Sequence, residues 1–449
     1  MIGRKFSSPP GPKGKLFTGN LHDFQADPLQ FMRKTTEEFG GISYLRFGPF
    51  QKVYLVNDPK LIKEILVTKQ KYFIKSKDIR SLKTVVGEGL LTSEKEKHMR
   101  QRRLIQPAFK KQHIINYGQE MIDTTLQYIA KWQDGEERDI TEDMMNITLG
   151  IISKTMFSMK LEEGHNRIGE PMEAVMTLAI KRMRAIFPLP LWIPTKENRK
   201  FNKAIEKLDE VLYEIIKKRQ NEAIVKEDLL GMLMAARDEK DGIGMTNTQL
   251  RDELMTIFLA GHETTANALA WTLYLLSQHP EKEEKLKDEI YTVVGEGEPQ
   301  AEDFMKLPFA QNVVWESMRL FPPAYVIGRE VDINVEIGGH PLKKGDMVLI
   351  SQYVVHRNAE YFENPDTFIP ERFENNFMRS LPPYVYFPFG GGPRVCIGNH
   401  FALMETVLTL VCIIQQYSLK LAPKHHTVKP QPLITLRPKH GIRMVVKKR

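Results

Sequence analysis

From about Thr246 to Gln278 the sequence reads as one long helix, with Pro280 ending it. At 1.5 Å per residue such a helix is roughly 50 Å long, enough to cross a whole globular molecule. A chain built round it must pack other elements along its length, which predicts a mainly α fold with a smaller β portion. The remaining pattern agrees. From about residue 95 to 290 apolar residues recur at three- and four-residue spacing. A further helix is expected over about 308–320, ending before Pro322-Pro323, and a last long one from near 397 to about 416. Residues 41–57 read as two short strands joined by the Gly48-Pro49 turn, with strand-like segments near 331–337 and 347–353. A proline-rich aromatic meander covers 361–389, and the chain ends in strands and turns. Pro9-Pro10-Gly11-Pro12 is a stiff lead-in. No repeat or low-complexity tract breaks the pattern, so residues 1–449 are expected to form a single domain.

Composition narrows the function. Apolar residues are 42% of the chain, enough for a large core. Lys and Arg total 64 against 56 Asp and Glu, a net charge of +8. That excess suits docking of an acidic protein partner but lacks the concentrated stripe of a nucleic-acid binder. The two cysteines, Cys396 and Cys412, cannot build a disulfide framework, which fits a reducing cytosol. Their sixteen-residue spacing also lacks the close ligands of a structural zinc site. The N-terminus has no apolar core of a signal peptide. The most apolar stretch, about 253–276, carries His262-Glu263-Thr264-Thr265 at its centre, which a membrane span would not place mid-bilayer. The chain therefore reads as soluble, cytoplasmic and without a membrane span.

The most informative segment is Phe389-Gly390-Gly391-Gly392-Pro393-Arg394-Val395-Cys396-Ile397-Gly398. Three glycines and a proline make a tight turn that allows close backbone approach. The cysteine follows where a helix begins, and free N–H groups, the positive end of the helix dipole and Arg394 all favour a thiolate. Such a sulfur is a nucleophile or a metal ligand, whereas a lone cysteine taken by itself is more often inert packing. Cys412, on the apolar face of the next helix, fits inert packing. A phosphate loop would need a Lys-Ser/Thr end and a glycine where Val395 stands. A zinc site through Cys396 and His400 lacks further ligands, and a cysteine hydrolase lacks a marked histidine.

A second constellation, Ala260-Gly261-His262-Glu263-Thr264-Thr265, falls mid-helix. Glycine and paired threonines are poor helix-centre residues, and a Thr hydroxyl can bond back to the carbonyl four residues earlier and bend the helix. A deformed turn beside an acid–alcohol pair suggests a pocket. The alternative is a polar stripe on a half-buried helix. A zinc-protease reading of His262-Glu263 needs a histidine at 266, where Ala266 stands.

The cysteine segment resembles the haem-binding loop of the cytochrome P450 family, Phe-x-x-Gly-x-Arg-x-Cys-x-Gly, at every specified position. The helix segment resembles the same family's oxygen-binding motif. The resemblance implies the P450 fold, haem b as cofactor and Cys396 as axial thiolate and metal ligand. It implies that Arg394 pairs with a haem propionate, Phe389 packs beside the sulfur, and Gly392 and Gly398 give the loop room. Thr264 is then the group that hydrogen-bonds dioxygen, Glu263 relays protons from solvent, and Ala260 lies over the haem face. His262 is expected to point outward and be structural. Glu316 and Arg319, an ordinary i,i+3 pair on their own, become with Arg372 a buried network that holds the loop. His98 and Arg102, one turn apart on a basic stretch, become propionate ligands, with His98 departing from the family's usual Trp. Arg329 matches a third propionate position. The motifs keep family order from 98 to 398, and the resemblance covers nearly the whole chain.

What it implies about the reaction is a soluble haem-thiolate monooxygenase, an oxidoreductase inserting one oxygen atom from O2 into a hydrophobic small-molecule substrate. The apolar segments 178–194, including Ile186-Phe187-Pro188, and Leu433-Ile434-Thr435-Leu436 are candidate channel walls. They suit a fatty acid, terpenoid or steroid, and Ala-Gly-His-Glu-Thr-Thr is similar to the string of fatty-acid hydroxylases. Electrons are expected from a separate ferredoxin or flavodoxin with its reductase, docking at Arg100, Arg102, Arg103, Lys110 and Lys111. The protein reads as a monomer without a nucleic-acid partner. A peroxide-driven peroxygenase is the alternative, and the Glu263-Thr264 pair argues against it.

Overall fold

The computed structural model describes residues 8–159, 165–184, 189–222, 226–423 and 427–449. The chain forms two compact units. One comprises residues up to Ile79 together with Trp315–Cys396, and the other Arg80–Val314 with Ile397–Arg449.

The first unit is built on a five-stranded sheet. Its strand order is Ile42–Phe47, Gln51–Val56, Met347–Ile350, Ile327–Val331, Phe73–Lys75. The first two strands form the expected hairpin, with Ile42 opposite Val56 and Gly48 at φ +65 in the turn. Tyr54 lies opposite Val348 in a parallel pairing, and Lys75 opposite Arg329 at the other edge. Tyr54, Val56, Ile65, Leu66, Val331, Val348, Ile350 and Phe387 make its apolar core.

Two strand expectations shift. The segment expected near 331–337 divides into Ile327–Val331 and a separate hairpin, Val335–Ile337 with His340–Leu342, turned by Gly338 and Gly339 at φ +55 and +80. The next strand stops at Ile350 instead of continuing to 353, because the Ser351 hydroxyl accepts the Val354 N–H and starts a helical turn, Gln352–Val355.

The helices that carry or brace functional side chains are α1 (Lys95–Ile105), α2 (Lys111–Ile129), α3 (Ile140–Phe157), α4 (Asn247–Gln278), α5 (Pro308–Leu320) and α6 (Asn399–Gln416). All but α5 lie wholly in the second unit. The Thr246 hydroxyl accepts the Gln249 N–H and caps α4; the chain leaves the helix at His279, the residue before Pro280. A helix that long is stable because it is buried nearly all round: Leu254–Leu259 and Thr265–Leu273 are buried without a break. It packs on α3, and Gly261 permits the approach, since a Cβ there would fall 2.4 Å from Ile152 Cδ1. Against its other half packs α6. A three-stranded sheet (Glu137–Asp139, Arg443–Lys448, Tyr417–Leu421) and a hairpin (Pro430–Pro432 with Leu436–Pro438) complete the unit. The hairpin is fastened to α4 where Trp271 Nε1 donates to Leu436 O at 2.9 Å. Among the described residues no helix is long and apolar enough to cross a membrane.

Candidate active site

In the first unit the cysteine loop closes on itself. The Cys396 N–H donates to Phe389 O at 2.9 Å and the Val395 N–H to Gly392 O at 3.0 Å. Gly392 sits at φ +66, where a Cβ would lie 1.9 Å from Leu66 O, so only glycine serves. Phe389 is held edge-on by Trp315, ring centroids 6.0 Å apart, and the Tyr386 hydroxyl donates to Trp315 O. Gln352 Nε2 donates to Phe387 O and Pro388 O at the loop entrance. The result is a rigid turn that leaves the Cys396 thiol exposed, whereas Cys412 is fully buried. Burial pushes the Cys412 thiol up, so it stays neutral and inert, as expected for packing.

Arg394 is half-buried in the turn Gly392–Arg394, and Arg329 is buried on its strand with Nη1 donating to Gly328 O. Gly398 stands at the start of α6. Its φ is negative, and a Cβ there would make ordinary contact with Phe109 at 3.7 Å. Among the described residues only Phe109 comes near a Cβ at that position.

Glu316 and Arg319 are both fully buried, not a surface pair. Arg319 Nε and Nη2 donate to the two Glu316 oxygens at 2.7 and 2.8 Å, and the Ile369 N–H adds a third bond at 2.9 Å. Arg319 also donates to His356 O, Pro365 O and Thr367 O, and Arg372 Nε stands 3.5 Å from Glu316. This is the network the resemblance implies. His356 beside it is held neutral by burial and by Arg319 and Arg357, and its Nε2 accepts the Phe387 N–H.

In the second unit the middle of α4 breaks its own burial pattern. Ala260 is exposed, and Gly261, His262 and Thr264 are half-buried, between two wholly buried stretches. An exposed alanine at that point lines open space on this unit. Thr264 Oγ1 donates to Ala260 O at 2.6 Å, the expected back-bond, yet the helix runs unbroken through it. The expected deformation therefore does not interrupt the backbone ladder. His262 is structural but not outward: its Nε2 meets Met145 O at 3.1 Å, and its carbonyl accepts from the Thr148 hydroxyl.

Glu263 is buried and fully partnered. Arg437 Nε donates to its Oε1 at 2.8 Å and Nη2 lies 2.8 Å from Oε2, while the Thr435 hydroxyl donates to Oε1. Burial pushes this carboxyl up, but Arg437 first and then Thr435 and His262 outweigh it and hold it below the usual carboxylate range. Consecutive helical residues point about 100° apart, so Glu263 turns to the hairpin while Thr264 faces another side.

On α1, His98 is buried and Arg102 half-buried, so the basic stretch has an inner face and is not simply solvated. Of the cluster expected to dock a partner, Arg103 is bound bidentately to Asp238 at 2.9 and 3.1 Å. Arg100 reaches Asp238 and Asp241 at 3.3 and 3.4 Å. These two charges brace the 238–243 turn, while Lys110 and Lys111 remain exposed.

Cys396, Arg394, Phe389 and Arg329 thus belong to the first unit, and Ala260, Glu263, Thr264, His98, Arg102 and Gly398 to the second. Sequence reasoning missed Arg437, Asn267 and Trp315. A single arginine, Arg437, interrupting the apolar C-terminal turn was the one available signal. Of the candidate channel residues, Ile186, Phe187 and Pro188 lie outside the described residues. Thr435 is buried and bonded to Glu263.

The donor set suits a haem. Cys396 offers one exposed sulfur on a rigid loop, and among the described residues no group of three His, Cys, Asp or Glu could hold a bare metal ion. The cysteine loop in the first unit and the Glu263-Thr264 pair on α4 in the second are the two segments whose sequence resembles a haem-thiolate oxygenase. The sequence model described as Cytochrome P450 matches residues 9–444, and the chain belongs to the cytochrome P450 family. Cyclooctatin synthase of Streptomyces melanosporofaciens is 32% identical over 429 residues, 95% of this chain and 92% of that protein. Cyclooctat-9-en-7-ol 5-monooxygenase of the same organism is 31% identical, covering 88% of this chain and 86% of its own. Pentalenene oxygenase of Streptomyces avermitilis is 28% identical over 93% and 92%. The protein is a haem-thiolate monooxygenase, with haem b as cofactor and O2 and a hydrophobic organic compound as substrates. When bound, the haem supplies dioxygen activation, its thiolate ligand pushing electron density toward iron to favour O–O cleavage.

Proposed function

We propose that this P450 hydroxylates a terpenoid. Three similar proteins bear names for oxygenation or synthesis in terpenoid chemistry, which moves the choice away from the fatty acid favoured by the helix motif alone. In this reading Cys396 is the axial ligand, and Arg394, Arg329, Arg102 and His98 receive the haem propionates. Phe389, clamped by Trp315, shields the sulfur, and Ala260 leaves room for substrate. Thr264 holds a hydrogen bond to dioxygen, and Glu263 passes it protons drawn from solvent. The observation that carries the reading is the exposed Cys396 thiol on a loop that its own backbone bonds and Gly392 hold rigid.

Electrons would come from a separate ferredoxin or flavodoxin in the cytoplasm, with Lys110 and Lys111 the available docking charges. We also read the chain as a monomer and a single domain, supported by its three crossings between the units and by α5 running through one of them.

The test of the haem assignment is the reduced, carbon monoxide-treated protein. It is expected to show the red-shifted Soret band of thiolate ligation, lost in Cys396→His and kept in Cys412→Ala. A band that survives Cys396→His refutes the ligand assignment. For the substrate, a Soret-shift screen should rank cyclic terpenoids above fatty acids of similar size. The reverse order returns the choice to fatty acids.

A further inference from the structure

Glu263 is held from an element 174 residues away in sequence, and the way it is held bears on when it can work. Arg437 engages both carboxylate oxygens, and the Thr435 hydroxyl adds a bond while accepting one from Asn267 Nδ2 at 3.1 Å. Asn267 stands one helical turn beyond Glu263, so α4 grips Thr435 from two positions. The carboxylate is only 5% exposed, but the Arg437 side chain is 27% exposed and reaches water. The other charged or titratable groups near it are few. His262 lies on its own helix, bonded to Met145 of α3. From α6, the buried Glu405 faces Thr265 rather than Glu263. The guanidinium is therefore the dominant partner of this carboxylate.

That arrangement conflicts with continuous relay duty. An acid that passes protons must pick one up from water and release it toward the alcohol. Here the carboxylate is kept as its conjugate base and turned to the hairpin, about a quarter-turn of helix from Thr264. We propose that Arg437, assisted by Thr435, is a positioning residue that parks Glu263 and so sets when proton delivery to the Thr264 side can occur. In the parked state Glu263 is a carboxylate bound to Arg437. Release from Arg437 lets it take a proton from solvent water, and that proton passes to the Thr264 side, returning the carboxylate to Arg437. Arg437 keeps its own proton throughout. The inference rests on reading Glu263 and Thr264 as the relay. The hairpin itself does not depend on Arg437, since Trp271 holds Leu436 independently and Pro430–Pro432 pairs with Leu436–Pro438.

The test uses the full-length holoprotein with Arg437→Gln, Arg437→Lys, Glu263→Gln and the Glu263→Gln/Arg437→Gln double variant. The carbon monoxide band confirms intact haem ligation in each. The first readout is the infrared titration of the Glu263 carboxyl in the resting protein, assigned by its disappearance in Glu263→Gln. Arg437→Gln is expected to raise the midpoint by about one pH unit or more, a tenfold change in ionisation constant, and Arg437→Lys to restore most of it. The second readout is the pH dependence of product formed per reductant consumed. Its acid-side limb is expected to move upward in Arg437→Gln and to vanish equally in Glu263→Gln and the double variant. An unshifted titration overturns the proposal while leaving the relay intact, whereas a double variant that behaves like Arg437→Gln overturns both, because the limb then does not run through Glu263. If Glu263→Gln alone leaves coupling and its solvent isotope effect unchanged, the relay reading falls, and the proposal with it.

Discussion

Two carboxylate–guanidinium pairs, one in each unit, use the same chemistry to opposite ends. Glu316 and Arg319 sit one turn apart on α5, both fully buried, and every strong donor of the guanidinium is spent on the carboxylate or on three backbone carbonyls. Nothing in that network can exchange without leaving a charge bare in the core. Glu263 and Arg437 come from a helix and a distant hairpin, and the guanidinium reaches solvent. One end of this pair can find water when it lets go. Full burial makes a pair permanent, and burial of one member alone makes it adjustable. The permanent pair ties α5 to the backbone at His356, Pro365, Thr367 and Ile369, the network that the family resemblance assigns to holding the cysteine loop. The adjustable pair holds the carboxylate that, in the proposed relay, gains and loses a proton.

The largest effect expected from this contrast is at Arg319. Arg319→Leu strands the Glu316 carboxylate and three carbonyls, and should cost about 3–5 kcal/mol with little holoprotein recovered, measured by thermal unfolding and haem content. Glu253 sharpens the comparison, because it is a buried carboxyl with no guanidinium partner among the described residues. Its Oε2 accepts the Leu90 N–H at 2.8 Å, and burial pushes its pKa to about 8. Its proton is bound more tightly in the folded state than in the unfolded one, where the pKa is near 4.5. The native state therefore loses stability as pH rises from 4.5 to about 8, with no further loss above. Glu253→Gln should match the wild type at pH 4 and exceed it by roughly 3 kcal/mol at pH 9, read by denaturant midpoints at each pH.

Arg437→Gln should be milder than Arg319→Leu, about 1–3 kcal/mol at pH 7, because water can reach the freed carboxylate. Glu263 has a lowered folded pKa, so its pair contributes stability above the ordinary carboxylate pKa and loses it as pH falls through the folded value. The gap between Arg437→Gln and wild type should therefore close in acid, as chemical denaturation at pH 7 and pH 3 would show. If the two arginine variants cost the same, or if the Arg437 gap persists at pH 3, the distinction between permanent and adjustable pairs is wrong.

Much of the fold and part of the site could be read from the residues in order. Thr246 and Pro280 mark the ends of α4 within a residue, because caps and proline act on their immediate neighbours. The Gly392 turn and the Thr264 back-bond were likewise local, and both are found as expected. The pairing of Glu316 with Arg319 follows from i,i+3 spacing, although its burial does not. Where strands compete with turns, local reading was less accurate. Ser351 and the Gly338-Gly339 pair redirected two segments whose composition suited extended chain.

What the sequence alone could not supply were the partners that arrive from elsewhere. Arg100 and Arg103 looked like a free docking face until Asp238 was found beneath them, and His262 looked outward until α3 was found against it. Glu263 was legible as an acid beside an alcohol, but its guanidinium partner was hidden 174 residues downstream. The reason is one of range. Helix periodicity, caps and turns are settled by steric and hydrogen-bond preferences over a few residues, so sequence order carries them. The ionisation and direction of a buried side chain are settled by charges within a few ångströms, and only tertiary packing decides which residues those are.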